Sequence, residues 1–442
     1  MEHDPRRRWS GIESFLSLER NVLVISATGL LTNFGAQVFQ PFIPLYLETL
    51  KATVPEIGLV YVGIAIAANL SVFGGLLADK IGRKVTIVVG GSVGFGLFLG
   101  LLEVNTWIVA LLVLFASYFF ATLVQPAVTS TLAESVEVKD RGNAFGTFWF
   151  LAYLGLAAGS LVGGYLPNPG SFELNISVIG IVGIGAALAR LVFLRETLPP
   201  KARSNRTNRR EGFFVAHMSR NVWLVMTALL LFNFSSGLGQ PLYALFSIKQ
   251  LQLSQGEFAV MIGTAYLASM LGAFGAGRAS KRLGVRRMMI LAVIFSGLLL
   301  IPWIYASSSY LAIGVYAVSG FFVQFFFVGN QALMSNITKT EERSSIIGFI
   351  TTIAGLGGIA APYIGSELWT LIDPRTPFLI SILLSGLVAI PLAIVSEAPA
   401  EPAPTSQPAQ AEVTFQRWFC RYCGQEIDLG ARYCHYCGRN LE

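Results

Sequence analysis

The chain has 442 residues, 54% of them hydrophobic and only 13% charged, against roughly 25% charged in an ordinary soluble domain. That much apolar surface cannot be hidden in one water-soluble core, because apolar groups must leave water somewhere. With a net charge of only +6, the composition excludes a disordered chain, a nucleic-acid coat and an ordinary cytosolic enzyme, and points to a polytopic membrane protein.

From the N-terminus, Arg6, Arg7 and Arg8 precede any apolar run. No apolar core or cleavage site occurs before residue 20, so 1–20 reads as a cytoplasmic N-terminus and not as a signal peptide. A transmembrane helix needs about 20 mostly apolar residues. That length predicts twelve, over 21–47, 55–78, 85–102, 106–132, 144–167, 173–194, 221–247, 257–280, 286–306, 310–336, 345–370 and 375–395. Several are rich in Gly, which lets membrane helices bring their backbones close. Lys and Arg fall mainly on one side: the N-terminus and alternate loops hold 24 of the 31, the tail holds four, and the opposite loops hold only Lys51, Lys249 and Arg375. The positive-inside bias then predicts that both termini are cytoplasmic, as an even number of spans requires.

The organisation expected is a six-helix bundle over 21–194, a basic cytoplasmic loop over 195–220, a second six-helix bundle over 221–395, a flexible linker over 396–416 and a small module over 417–442. Arg203, Arg206, Arg209 and Arg210 place the basic loop on anionic headgroups, or on a partner. The halves also repeat. Asn33-Phe34 and Gln40-Pro41 recur 200 residues later as Asn233-Phe234 and Gln240-Pro241. Arg141, Gly146, Gly155, Gly159 and Gly163 recur 202 residues later as Arg343, Gly348, Gly357, Ala361 and Gly365. Two near-equal offsets in corresponding helices indicate two bundles of the same orientation.

After the second predicted helix stands Gly75-Leu-Leu-Ala-Asp79-Lys80-Ile-Gly82-Arg83-Lys84, and its second-half counterpart runs from Gly277 through Lys281, Arg282 and Gly284 to Arg286. This stretch resembles the cytoplasmic loop signature of the major facilitator superfamily, and the resemblance covers about 21–395. It implies an all-α membrane fold of twelve transmembrane helices in two six-helix bundles, related by an axis along the membrane normal. Gly155, Gly159, Gly163 and Gly164 resemble the antiporter signature of the drug–proton families; Ser160 stands where that signature has proline, and Pro362 keeps a proline in the eleventh helix. The resemblance implies efflux of small molecules. It also implies that the loop with Gly75, Asp79, Gly82, Arg83 and Lys84 gates the outward-open state, a topology anchor being the alternative.

Asp79 ends a helix, where the macrodipole disfavours an anion, so it calls for a partner such as Arg83, Lys84 or another helix N-terminus. Asn33, Gln37 and Gln40 share one helix face, and Asn233 and Gln240 repeat two of them. Pro41 and Pro241 remove the donors that would serve the carbonyls of Gln37 and Gly237. Freed carbonyls and amides are costly in lipid and useful in a cavity. Asn33, Gln37, Gln40, Asn233 and Gln240 are therefore the substrate-lining candidates, together with Gln125, Tyr153 and Asn330, interhelical hydrogen bonding being the alternative. Trp149, Phe150 and the run Phe321 to Phe327 either wall a cavity or face lipid. No Asp or Glu falls mid-span; Glu134 and Glu367, near helix ends, are the proton-coupling candidates.

The four cysteines form two CxxC pairs, Cys420 with Cys423 and Cys434 with Cys437. Four thiolates at that spacing suit one structural Zn2+ in a zinc ribbon, with disulfides or redox thiols as the alternative on a cytoplasmic tail. About 25 residues need such a metal to fold. With three histidines, no Ser-His or Cys-His arrangement and no phosphate loop, no enzyme is expected. The expectation is an alternating-access transporter in the plasma membrane, exporting amphiphilic compounds with proton coupling. Its partners are the lipid bilayer, a small-molecule substrate, protons and an unidentified cytoplasmic partner of the ribbon, and a monomer is expected. The rivals are a carrier of a polar metabolite and a membrane sensor signalling through the ribbon.

Overall fold

The apolar runs become helices, and polar signals at their ends set where they begin. The computed structural model describes residues 19–137, 140–166, 172–198, 219–338, 343–396, 418–419 and 426–427. Among the described residues eleven helices are individually long and apolar enough to cross a membrane, and a bent pair of helices brings the number to twelve when the pair is counted as one span. In order the spans are Arg20–Thr49, Val54–Asn69 with Phe73–Ile81, Arg83–Glu103, Trp107–Glu134, Arg141–Tyr165 and Glu173–Phe193 in the first half. Arg220–Gln250, Gln255–Leu283, Val285–Ile304, Ser309–Ile337, Arg343–Leu371 and Thr376–Ile394 make up the second. The two segments of the second span meet at 43°.

The halves repeat in detail as well as in outline. A capping box opens the second span, with Thr53 N donating to Glu56 Oε2 at 2.7 Å, and the eighth, with Ser254 N donating to Glu257 Oε2 at 2.8 Å. The first span breaks into a short 3-10 turn at Gln40–Phe42 and the seventh breaks after Gly239, at the repeated Gln-Pro pairs, because proline withdraws a helical donor. An asparagine near the start of each half clasps the residue that ends it. Arg195 N donates to Asn21 Oδ1 at 2.9 Å, and Asn221 Nδ2 donates to Ser396 O at 2.9 Å.

Packing within each half follows one scheme. The first span lies on the fifth and sixth and the third on the fourth and sixth; likewise the seventh lies on the eleventh and twelfth and the ninth on the tenth and twelfth. Glycine makes the closest of these contacts. A Cβ at Gly155, Gly159 or Gly163 would overlap the carbonyl of Leu30, Phe34 or Val38, and one at Gly357 or Gly365 would overlap that of Leu230 or Leu238. The glycine rows legible in the sequence thus set the backbone separation of two helix pairs.

Two seams join the halves: the second span packs on the eleventh, and the fifth on the eighth. The basic loops mark one face of the molecule, and Lys51, Lys249 and Arg375 mark the opposite face. Near the opposite face a single apolar core crosses both halves, from Phe39, Phe42 and Ile57 to Phe246, Phe258, Trp303 and Phe378. Near the basic face each half keeps its own core, one around Val22, Ile87 and Val128, the other around Val225, Met289 and Phe326. Phe326 is therefore core and not lipid-facing, stacked at 4.2 Å on Phe232. Arg190 lies in the last turn of the sixth span, within the predicted helix, 3% exposed and donating from Nε to Thr28 Oγ1 at 2.9 Å, where a helix C-terminus favours a cation.

The chain divides into two units, Met1–Ser396 and Glu397–Glu442. In the second, Trp418–Phe419 pairs antiparallel with Glu426–Ile427. Cys420, Cys423, Cys434 and Cys437 lie outside the described residues.

Candidate functional site

The second span and the broken seventh, with the ninth to twelfth, line an open cavity of about 680 Å3. This lies within the range of small-molecule sites, roughly 300–1,000 Å3. Its wall is built of amides and hydroxyls, with Asn69, Asn233, Gln240, Ser235, Thr351 and Tyr243 among them, interleaved with Ile64, Phe232, Leu300 and Phe327. No Asp, Glu, Lys, Arg or His occurs among the described residues that line it. Asn233 Nδ2 donates to Leu229 O and Ala354 O at 2.9 and 3.2 Å, tying the seventh span to the eleventh. Asn69 does the same between the halves, donating to Ala65 O and to Gly355 O at 2.9 and 3.3 Å. Ser235 and Ser381 exchange hydrogen bonds with each other's carbonyls at 2.9 and 2.8 Å.

Of the residues chosen from sequence, Asn233 and Gln240 line this cavity. Asn33 turns its amide onto Gly29 O of its own helix at 2.8 Å, and Gln125 is exposed. Gln40 sits in the 3-10 turn, and Asn330 is half-buried with no hydrogen-bond partner for Oδ1. None of these four lines the cavity. Helical spacing fixes which side chains share a face but not what that face meets, and the break at Gln40 changes the face.

Gln37 and Tyr153 face the seam between the halves. Gln37 Nε2 donates to Tyr266 Oη in the eighth span, and Tyr153 Oη donates to Gln324 Oε1 in the tenth at 2.7 Å. Trp149 and Phe150, close by in the fifth span, are exposed.

At the basic face the loop signature folds into a charge cluster inside the first half. Gly82, at φ 109°, ends one helix and starts the next, as Gly284 does at φ 81° in the second half. Gly75 packs on Pro126. Arg83 is 5% exposed; its Nη1 lies 2.7 Å from Asp79 Oδ1 and its Nη2 3.3 Å from Glu134 Oε1. Arg83 is thus the cation Asp79 calls for. Glu196 accepts hydrogen bonds from Arg83 N and Lys84 N at 3.0 and 3.2 Å, satisfying the open N-terminus of the third span. Glu134 also accepts from Thr197 Oγ1 at 2.7 Å, and Glu367 lies near the far end of the eleventh span.

At the opposite face Lys249 pairs with Glu48 across the halves. Both seams are tight there: a Cβ at Gly58 would stand 2.8 Å from Ser366 Cβ, and one at Gly164 would overlap Ala259.

The profile of the Major Facilitator Superfamily matches residues 25–254 and 234–420. The chain belongs to this superfamily. It is a multi-pass membrane transporter of small molecules, and not an enzyme. The multi-drug resistance efflux pump PmrA of Streptococcus pneumoniae serotype 4 is 25% identical over 350 residues, covering 76% of this chain and 86% of that one. The multidrug resistance protein MdtG of Escherichia coli O81 is 24% identical over 397 residues, covering 86% and 93%. Among solved structures, the nucleoside transporter NupG matches with a TM-score of 0.67 at 15% identity, covering 86% of this chain and 99% of that one. A bacterial homologue of the human lysosomal transporter Spinster, inward-facing and occupied, matches with a TM-score of 0.68 at 13% identity, covering 88% and 97%. These structures share the fold.

Sequence reading missed Asn69, Tyr266 and Gln324. None of them has a neighbouring proline or an identical residue at the repeat offset, so nothing local marked them. Their being polar within a span was the available signal.

Proposed function

We propose that the chain exports amphiphilic, drug-like compounds from the cytoplasm by alternating access in the plasma membrane, with proton coupling and both termini cytoplasmic. The observation that carries this is the distribution of the core. One apolar core crosses the halves away from the basic face, whereas two separate cores flank the seam at the basic face. With the basic face in the cytoplasm, this is a carrier closed outside and parted inside, its neutral cavity on the cytoplasmic path. Relatives named as multidrug pumps, matched over most of their length, support the substrate class. The cluster of Asp79, Arg83, Glu134 and Glu196 stiffens the cytoplasmic end of the first half, and its gating role is to hold that end as a unit while the halves rock. Glu134, held by Arg83 and Thr197, serves that cluster, which leaves Glu367 as the first proton candidate to test.

The test is movement of a fluorescent amphiphilic cation in proteoliposomes, with and without an imposed pH gradient. Gradient-driven accumulation is expected. Movement indifferent to the gradient would remove proton coupling. No movement of any amphiphile by folded protein would overturn the reading and favour a polar-metabolite carrier, which the hydroxyl-rich wall around Ser235, Thr351 and Asn233 also suits.

The same proposal gives the tail one structural Zn2+ on Cys420, Cys423, Cys434 and Cys437. All four ligands are thiolates, the donor set of a closed structural site. The paired strands bracket the first CxxC in the sequence. When bound, zinc would cross-link a segment too short to hold a core, and it supplies no chemistry to transport. About one zinc per chain by elemental analysis is expected, falling in Cys423→Ser; an equal content in both would refute the assignment.

A further inference from the structure

We infer that the basic-side ends of the eighth and ninth spans bind an anionic phospholipid of the cytoplasmic leaflet, its headgroup phosphate held by Arg278, Lys281, Arg282 and Arg287. The repeat locates the site. At the offset of 202 that relates Gly75 and Gly82 to Gly277 and Gly284, Asp79 becomes Lys281, Arg83 becomes Val285 and Glu134 becomes Asn336. The first half closes this corner with its own carboxylates on Arg83. In the second half a cation and an amide stand in the places of Asp79 and Glu134. Arg278, Lys281, Arg282 and Arg287 are exposed, and among the described residues none of them forms an ion pair. Arg286, the fifth cation, donates to Val395 O at 2.8 Å and so ties the ninth span to the end of the twelfth. Like charges one helical turn apart, as at Arg278 and Arg282, repel, and a shared anion removes that cost.

What lies beneath the cations selects a lipid over a free phosphate. On the eighth span Leu271, Phe274, Arg278 and Arg282 share one face, and on the ninth Arg287, Leu291, Phe295 and Leu298 share another. The apolar members of both stripes are exposed. Each stripe runs eleven residues from its cation to its deepest leucine, about 17 Å at 1.5 Å per residue. Half of a hydrocarbon core of about 30 Å is about 15 Å, so each stripe spans one leaflet. The tenth span joins them with three half-buried rings, Phe321, Phe322 and Phe325, whose centroids lie 4.9–6.1 Å apart. A Cβ at Gly275 of the eighth span would stand 3.1 Å from Phe325, and Phe322 stacks on Phe295 of the ninth at 5.4 Å. This is the side of the tenth span away from Val323 and Phe327, which line the cavity. Acyl chains on that apolar surface put a phosphate at the level of the four cations. The first half has Leu76, 59% exposed, where the second has Arg278, so the same pattern is not repeated there.

The inference takes from the proposed function only that the basic face is cytoplasmic, so failure of every amphiphile to move in proteoliposomes would leave it standing. The experiment places a bimane fluorophore on Leu283→Cys, or on the repeat-equivalent Ile81→Cys, in the full chain with its tail cysteines replaced by serine. Each protein sits in phosphatidylcholine nanodiscs that contain a trace of doxyl-labelled phosphatidylglycerol or doxyl-labelled phosphatidylcholine with the same chains. Quenching reports which lipid stands beside the probe. At Leu283→Cys the phosphatidylglycerol label is expected to quench about fivefold more than the phosphatidylcholine label, and at Ile81→Cys less than about twofold more. Arg278→Gln, Lys281→Gln and Arg282→Gln together should bring the ratio at Leu283→Cys down to that at Ile81→Cys. Lys281→Asp, which restores the first-half acid and serves if the triple variant fails to fold, should lower it as well. Equal quenching by the two labels at Leu283→Cys would overturn the site, as would an equal preference at both positions, the mark of general attraction to a basic surface. Displacement of the labelled lipid by soluble glycerol 1-phosphate would overturn the assignment to a lipid.

Discussion

Replacing Gly164 separates the two kinds of glycine contact in this fold. Gly164 lies at the outer end of the fifth span, where an added Cβ would overlap Ala259 of the eighth and stand 3.0 Å from Gln255 O. That contact crosses the halves, so it exists only while the outer side is closed. Overpacking a tight contact costs about 1–3 kcal/mol. In Gly164→Val the cost falls on the outer-closed state alone, which shifts the conformational equilibrium about 5- to 150-fold toward outward opening. Gly159 is the control, because its added Cβ would overlap Phe34 O within the first half, in both states. Gly159→Val should therefore lower Tm without changing the opening equilibrium. The assay is labelling of Ala52→Cys, a position 9% exposed in the outer part of the shared core, by an impermeant maleimide with the tail cysteines removed. Labelling should rise in Gly164→Val only. Unchanged labelling with a fall in Tm like that of Gly159→Val would refute the idea that this seam opens.

Arg83→Met removes the cation between Asp79 and Glu134. A fully buried pair broken this way costs about 3–5 kcal/mol. Because the carboxylates are 36% and 34% exposed, about 1–2 kcal/mol is expected, read as a fall in Tm that Glu134→Gln partly restores. Glu48→Lys and Lys249→Glu should each raise outer labelling modestly, the double exchange should restore it, and 0.5 M salt should shrink the difference, since such partly exposed pairs contribute about 0.2–1 kcal/mol. Asn233→Leu, which removes an amide from the cavity wall, should raise KM for transported amphiphiles several-fold with Tm lowered by the loss of its bond to Ala354; unchanged KM would take Asn233 out of the substrate path.

The sequence already held the apolar spans, eleven of them met by single helices and the second by a bent pair, the twofold repeat and the breaks at Gln40-Pro41 and Gln240-Pro241, because span length and proline chemistry are local. The glycine rows at Gly155, Gly159 and Gly163 were equally legible, although what they met was not. Arg83 was named as a partner for Asp79; that Glu134 joins them and that Glu196 caps the next helix depends on how distant loops come together. The amides show the limit most clearly. Asn33 and Asn233 occupy equivalent positions, yet only Asn233 faces the cavity, because the cavity lies to one side of the repeat axis. Tyr266 and Gln324 carry no periodic signature, since their partners lie in the other half.

The paired asparagine clasps have a consequence for how such a chain is extended. Asn21 fastens the exit of the first half at Arg195, and Asn221 fastens that of the second at Ser396. From the first knot the polypeptide runs on to build another bundle; from the second, at the equivalent place, it runs on to the cysteine module. The tail thus follows the second half at the position from which, after the first half, the next bundle follows, and the last described residue before it, Ser396, is held in place on the basic side.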